Sequence, residues 1–204
     1  MDSVPDLAAA LNRLMAARGL AAFSRAEVTA MVGDGAAALV ARAFVARGAA
    51  QDGGALEDFL SDYTAHTAVE TRLFPGVEAG LARLAAAGWR LAVCTNKPEA
   101  AARALLAALG IDGVFAAVGG GDSYPVRKPD PAHLLATLAQ AGGTVAGAVM
   151  AGDHHNDVAA ARGAGVPCIF AAWGYGPLAM GDGAAVAADF DELVSLAGGL
   201  ARAG

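Results

Sequence analysis

The chain predicts an α/β fold, a parallel sheet with helices on both faces, joined to a separate helical part. Three observations carry this. From Leu73 onward strand-like runs alternate with helical stretches, those runs are apolar throughout, and the segments from Val4 to Arg72 all read as helices. A strand that is apolar on both faces needs cover on both, which parallel βαβ connections supply. The 204 residues suffice for one core plus a smaller attached unit. No fixed-period repeat and no long linker interrupts them.

In the first part, "SVPDLAAALNRLMAARG" predicts a helix with Ser3 as candidate cap, Pro5 in the first turn and Gly19 as the stop. "SRAEVTAMV" opens with Ser24 and Glu27 in capping-box spacing. After Gly33, Asp34 and Gly35, "AAALVARAFVARG" reads as a third helix. "GALEDFLSDYTAHTAVETR" reads as one long fourth helix reaching Arg72.

The second part, residues 73–204, begins with a helix in "GVEAGLARLAAAG". Strands follow in "WRLAVCTN", "VFAAVGGG", "VAGAVMAGD" and "PCIFAAW". Helices in "KPEAAARALLAALG", "DPAHLLATLAQAG" and "DVAAARGAG" separate them. A short strand in "AAVAADF" and a terminal helix close the chain.

Composition removes several function classes. At 56% hydrophobic and 17% charged, the chain is not disordered. A net charge of −6 without any Lys/Arg cluster excludes a nucleic-acid surface. No apolar run approaches the ~18 residues of a membrane span, and "MDSVPDLAAALNRL" lacks the basic flank and apolar block of a secretory signal. Cys94 and Cys168 lie within apolar runs and read as buried strand residues. A cytoplasmic location is expected. Oligomeric state has no signature here.

In a parallel sheet, ligands lie beyond the carboxyl ends of the strands. Three stretches place polar groups there. In "CTNKPE", Thr95 offers a hydroxyl and Asn96 an amide where a helix begins, with backbone N–H groups that suit a phosphate. The same stretch also fits an ordinary helix start, with Asn96 as cap, Pro98 in the first turn and Glu99 completing a capping box. In "GGGDSYPVRKPDP", Lys128 precedes Asp130, the candidate cap of the next helix. A lysine ahead of a helix is by itself a solvated charge, yet Lys97 and Lys128 are the only lysines and both fall in strand-end loops. In "MAGDHHNDVAAARGAGVP", Asp153 follows a strand and Asp157 sits near the next helix start, where Asp157 or Asn156 also fits as a cap. One carboxylate at a strand end suits Mg²⁺, which takes six oxygens and usually more than one from the protein. His154 and His155 are adjacent nitrogen donors and are read as outside that set.

In their order and spacing these stretches resemble the haloacid dehalogenase superfamily, and within it the bacterial phosphoglycolate phosphatases. "CTNKPE" is similar to the second family motif, "RKPDP" to the third and "GDHHNDVAAARGAG" to the fourth. "FPGV", "GGDSYPVRKPDP" and "VGDGAAALV" are similar to the phosphoglycolate branch in particular. The resemblance implies a Rossmann-like core over residues 73–204 and a helical cap domain over 4–72. It implies catalytic roles for Thr95, Asn96 and Lys128, Mg²⁺ on Asp153 with Asp157 in support, and a cap loop at Gly33, Asp34 and Gly35 facing substrate. The cofactor is then Mg²⁺ and the partner a small phosphorylated metabolite. The residues fit independently: a phosphate monoester needs an anion cradle, a cation and a bridging metal.

One motif of the resemblance is not found. The family's first motif is a buried strand ending D-x-D-G-T, whose first aspartate is the nucleophile. "MDSVPDL" is similar to the stretch just after that motif, so residues 1–3 read as its remnant and Asp2 as a later, non-catalytic aspartate. The central first strand is expected upstream of Met1, and a start assigned too late is the simplest cause. Burying about five apolar side chains is worth roughly 8–15 kcal/mol, against about 5–15 kcal/mol for a whole domain. The 204-residue form is therefore expected to be inactive and destabilised, with a slot between the strands near 90–94 and 148–152. The alternatives are a pseudophosphatase that binds phosphate or a partner without turnover, and a phosphatase of pyrophosphate or a sugar-type phosphate.

Overall fold

In a computed structural model, which describes residues 1–66 and 68–200, the first part folds as four helices. These are α1 (Val4–Ala17), α2 (Arg25–Thr29), α3 (Ala36–Ala46) and α4 (Ala55–Ala65). They pack on a core in which Leu11, Met15, Val28 and Val40 are fully buried beside Phe44, Phe59 and Tyr63, and which Ala101 and Tyr175 of the second part also join. The capping box forms as expected: Ser24 N donates to Glu27 Oε2 at 2.7 Å, and Glu27 N to Ser24 Oγ at 3.3 Å. Ser3 differs from expectation. Its side chain makes no cap bond, while its backbone N–H donates to Tyr175 Oη at 2.6 Å.

The fourth helix ends at Ala65 instead of reaching Arg72. Asp6, buried on α1, competes for the backbone that a longer helix would use. Its carboxylate accepts Glu70 N at 2.9 Å, Thr71 N at 2.9 Å and Thr71 Oγ1 at 2.7 Å. Burial alone would push the Asp6 pKa up, but these donors bring it below the ordinary carboxylate value. Arg72 then pairs with Asp2 as an isolated antiparallel bridge. Thr67, which the fourth-helix reading includes, lies outside the described residues.

The second part alternates as expected: α5 (Val77–Ala86), β1 (Leu91–Cys94), α6 (Glu99–Ala108), β2 (Phe115–Gly119) and α7 (Pro131–Gln140). β3 (Met150–Gly152), α8 (His155–Ala164), β4 (Cys168–Ala171), β5 (Ala185–Ala187) and α9 (Phe190–Leu200) complete it. The strand read from "VAGAVMAGD" is shorter than expected, because Val145–Gly147 form a 3₁₀ turn. Asp130 caps α7, accepting Ala132 N at 2.9 Å. Residues 201–204 of the terminal helix reading lie outside the described residues.

Every strand ladder is parallel, in two sheets: β1–β2, and β3–β4–β5. β1 pairs only with β2, and β3 only with β4, so no ladder joins β1 to β3 among the described residues. Ala92 on β1 and Ala151 on β3 are exposed, although both belong to apolar runs suited to burial. Other elements hold the two sheets in place. Leu134 of α7 packs with Met150 and Cys94, and His133 Nε2 lies 2.8 Å from Gly120 O. Met1, Leu73, Phe74, Leu91 and Val93 all pack against the cluster of Val77, Leu81, Leu106 and Val118. Cys94 and Cys168 are unpaired, and burial pushes both thiols up, Cys168 to about 12. Among the described residues no helix is long and apolar enough to cross a membrane.

Candidate active site

The carboxyl ends of β1 and β3 open into a cleft of about 190 Å³, roofed by the helical part. Thr95, Asn96, Lys128, Asp153, Asp157, Gly33 and Gly35 all line it, although 124 positions separate the first from the last in sequence order (157 − 33). Asp34 lies at its rim through Asn156.

Thr95 extends the β1 ladder by donating its N–H to Gly119 O at 2.9 Å. Its Oγ1 accepts Lys97 N at 3.1 Å, which leaves the hydroxyl proton free to donate. Asn96 is not a helix cap. The N-cap of α6 is Pro98, without a side-chain bond, and Asp122 Oδ1 takes Glu99 N at 2.7 Å. Instead Asn96 Nδ2 donates to Lys128 O at 2.9 Å and to Gly33 O at 3.1 Å, joining the second and third motifs to the helical part. Its Oδ1 is buried without a hydrogen-bond partner among the described residues.

Lys128 is buried, with Nζ 2.5 Å from Cys94 O and 2.5 Å from Asp157 Oδ1. Burial pulls the lysine pKa down, but the facing Asp157 carboxylate and Cys94 outweigh it, and the pKa lies above its ordinary value. The ammonium therefore stays charged. Asp157 serves α8 as well: its Oδ2 accepts His154 N at 3.0 Å, completing a capping box in which His154 is the N-cap. Neither Asp157 nor Asn156 is therefore the N-cap: Asp157 serves from the first turn, at N3, alongside its ion pair, and Asn156 bonds the Gly33–Asp34 loop.

Asp153 Oδ2 accepts Tyr175 N at 2.7 Å. Gly174 permits this approach, since a Cβ there would lie 2.2 Å from Asp153 Oδ2. Asp153 lines the cleft and its Oδ1 has no hydrogen bond among the described residues, so one hard oxygen is left for a ligand. Magnesium is commonly held through one or two carboxylates with substrate phosphate and water completing its shell, and this donor fits that role.

The loop of Gly33, Asp34 and Gly35 docks on these motifs. Asn156 Nδ2 donates to Asp34 Oδ1 at 2.6 Å and to Gly33 O at 3.3 Å, and Arg42 pairs with Asp34 Oδ2. Burial would raise the Asp34 pKa, but Asn156 and Arg42 bring it below its ordinary value. Gly33 has φ +121°, and a Cβ there would meet His154 Nε2 at 2.4 Å. Asp34, His154 and His155 bring ligand-type atoms within 4.8 Å of one another. Both Asp34 oxygens and His154 Nδ1 already hold protein partners, so this cluster works as a latch.

Sequence reasoning misses three residues at the cleft. Lys97, distinguished in the sequence only by the scarcity of lysine, reaches Tyr63 on α4, with Nζ 2.5 Å from its Oη. Tyr175 accepts Ser3 N and Val4 N and donates to Asp2 Oδ1 at 2.7 Å. Burial, then Asp2, raises the Tyr175 pKa. Asn156 reads from the sequence only as a cap. The glycines flanking Tyr175 are the one available signal.

The chain matches other proteins over nearly its whole length. The sequence profile of haloacid dehalogenase-like hydrolases matches residues 1–171. A phosphoglycolate phosphatase of Rhodospirillum rubrum is 43% identical, covering 96% of this chain and 84% of that protein. One from Agrobacterium fabrum is 42% identical, covering 86% and 77%. A crystal structure described as a predicted phosphoglycolate phosphatase from Haemophilus somnus superposes with a TM-score of 0.89 at 30% identity, covering 96% and 92%. CbbY from Rhodobacter sphaeroides in complex with phosphate superposes with a TM-score of 0.79 at 26% identity, covering 94% and 90%.

Proposed function

The chain belongs to the haloacid dehalogenase-like hydrolases and is a phosphoric monoester hydrolase; from that premise we propose that it acts with Mg²⁺ on a small organic phosphate, 2-phosphoglycolate. The observation that carries the proposal is the meeting of Thr95, Lys128 and Asp153 at one edge of the strands. In this reading Thr95 Oγ1 and Asn96 bind the phosphate. Lys128, held by Asp157, places a fixed positive charge where charge builds up during transfer. Asp153 would hold the metal through Oδ1, which no protein group engages among the described residues, and the ion would supply Lewis-acid polarisation there.

The nucleophile in this reading is a carboxylate on a further strand that would pair with the free edges of β1 and β3. The edge of β1 away from β2 and the edge of β3 away from β4 pair with no strand among the described residues, which supports it. The phosphoryl group would pass from the ester oxygen to that carboxylate with release of glycolate, and water would then hydrolyse the aspartyl-phosphate to inorganic phosphate. Residues 4–72 act as the cap over a core of 73–204, with the Gly33–Gly35 loop as its contact to the site. The relatives named phosphoglycolate phosphatase support the choice of substrate.

Titrating inorganic phosphate into the chain, with Mg²⁺ and then with EDTA, tests the metal and anion roles together. Binding in Mg²⁺ that Asp153→Asn abolishes is expected. Equal, metal-independent affinity in both proteins would remove Asp153 from the site.

A further inference from the structure

We propose that Lys97 and Tyr63 form a carboxylate subsite that selects phosphate esters carrying an acid group on a short chain. The inference rests on the phosphatase reading and extends it to substrate choice. Lys97 lies two residues beyond Thr95, and its side chain crosses from the sheet part to the helical part. Nζ sits 2.5 Å from Tyr63 Oη and 4.3 Å from the centroid of the Tyr63 ring. That tyrosine is 2% exposed and its ring stacks on Phe59 at 5.9 Å and 1°, so the platform under the ammonium is fixed.

The charge balance of the cleft is uneven. Lys128 is neutralised by Asp157, whereas Lys97 has no carboxylate in ion-pair reach among the described residues. Its wall is apolar, built from Leu7, Leu39, Phe59 and Leu60. An ammonium has three donors. Here one meets the Tyr63 hydroxyl, and no other hydrogen bond engages Nζ among the described residues, which leaves two donors for a ligand. Such a group binds an anion more strongly than water does in this partly desolvated setting.

Position then sets the ligand class. Phosphate is assigned to the Thr95 end, and Lys97 stands on the helical side of the same cleft. The cleft, about 190 Å³ in volume, is lined by both Thr95 and Lys97, an arrangement that suits a ligand with a phosphate, a short linker and a second anionic group. Esters without the acid leave Lys97 unpaired and lose that contact.

Calorimetry on the full chain in Mg²⁺ tests this with 2-phosphoglycolate, ethyl phosphate and inorganic phosphate. Lys97→Gln is expected to weaken 2-phosphoglycolate about 10- to 100-fold and to leave the other two ligands unchanged. Lys97→Arg should restore much of the loss, which separates charge recognition from folding. Tyr63→Phe, which keeps the ring, should weaken the same ligand by a smaller factor. An equal loss for all three ligands would assign Lys97 to the phosphate, and an unchanged 2-phosphoglycolate affinity would remove it from the site; either overturns the subsite. If the wild-type chain binds none of the three, the phosphatase reading itself fails.

Discussion

Lys128 Nζ and Asp157 Oδ1 lie 2.5 Å apart with both side chains 8% exposed. This ion pair ties the end of β1 to the first turn of α8, across two strands that share no ladder. The charge offered to the cleft and the connection between the sheets are therefore one interaction.

Lys128→Met should strand a buried carboxylate, and Asp157→Asn a buried ammonium. Removing one partner of such a pair costs about 3–5 kcal/mol. Urea unfolding of each single variant checks this. The double variant Lys128→Met/Asp157→Asn should recover part of the loss, and midpoints unchanged in the singles would show that the pair does not hold the sheets.

Asp6 makes a pH-dependent contribution of definite sign. Its folded pKa lies below the unfolded value of about 3.9. The stabilisation is then fully present above that value and is lost as pH falls through the folded pKa. Asp6→Asn should cost about 1–3 kcal/mol near neutrality. The gap between the two proteins should shrink as the pH is lowered below about 4, and urea midpoints across that range would reveal a gap that instead stays constant.

Gly33→Ala should loosen the latch between the helical part and the motifs, because its φ of +121° and the 2.4 Å approach of His154 Nε2 both oppose a Cβ. Strain of this kind costs about 1–3 kcal/mol. Gly48→Ala is the control, since Gly48 has φ +66° with nothing within 4 Å. Phosphate affinity should fall for the first and hold for the second. Equal affinities would mean that docking of this loop does not shape the anion site.

Much of this is legible in the sequence because strand ends are local features. Thr95 and Asp153 each follow an apolar run, Lys128 lies in the loop that leads from β2 to α7, and parallel topology brings such ends together without knowledge of any contact. The hidden features depend on distant partners. Nothing near Asn96 announces that its amide bonds Gly33 rather than capping α6. Nor does the 66–72 segment reveal that Asp6 claims its backbone N–H groups and ends α4 at Ala65. The short β3 has the same origin: periodicity locates an apolar run, but hydrogen bonds decide which residues join the ladder.

Turnover tests the central claim most directly. Adding before Met1 an apolar strand that ends in D-x-D-G-T-L should give Mg²⁺-dependent release of phosphate from 2-phosphoglycolate. The 204-residue chain should show none, and Asp153→Asn in the extended protein should weaken the metal dependence. Lys128→Ala there should lower kcat by on the order of 10²–10³. Magnesium-dependent turnover by the 204-residue chain, unaffected by Asp153→Asn, would contradict the account, since another carboxylate would then be doing the chemistry.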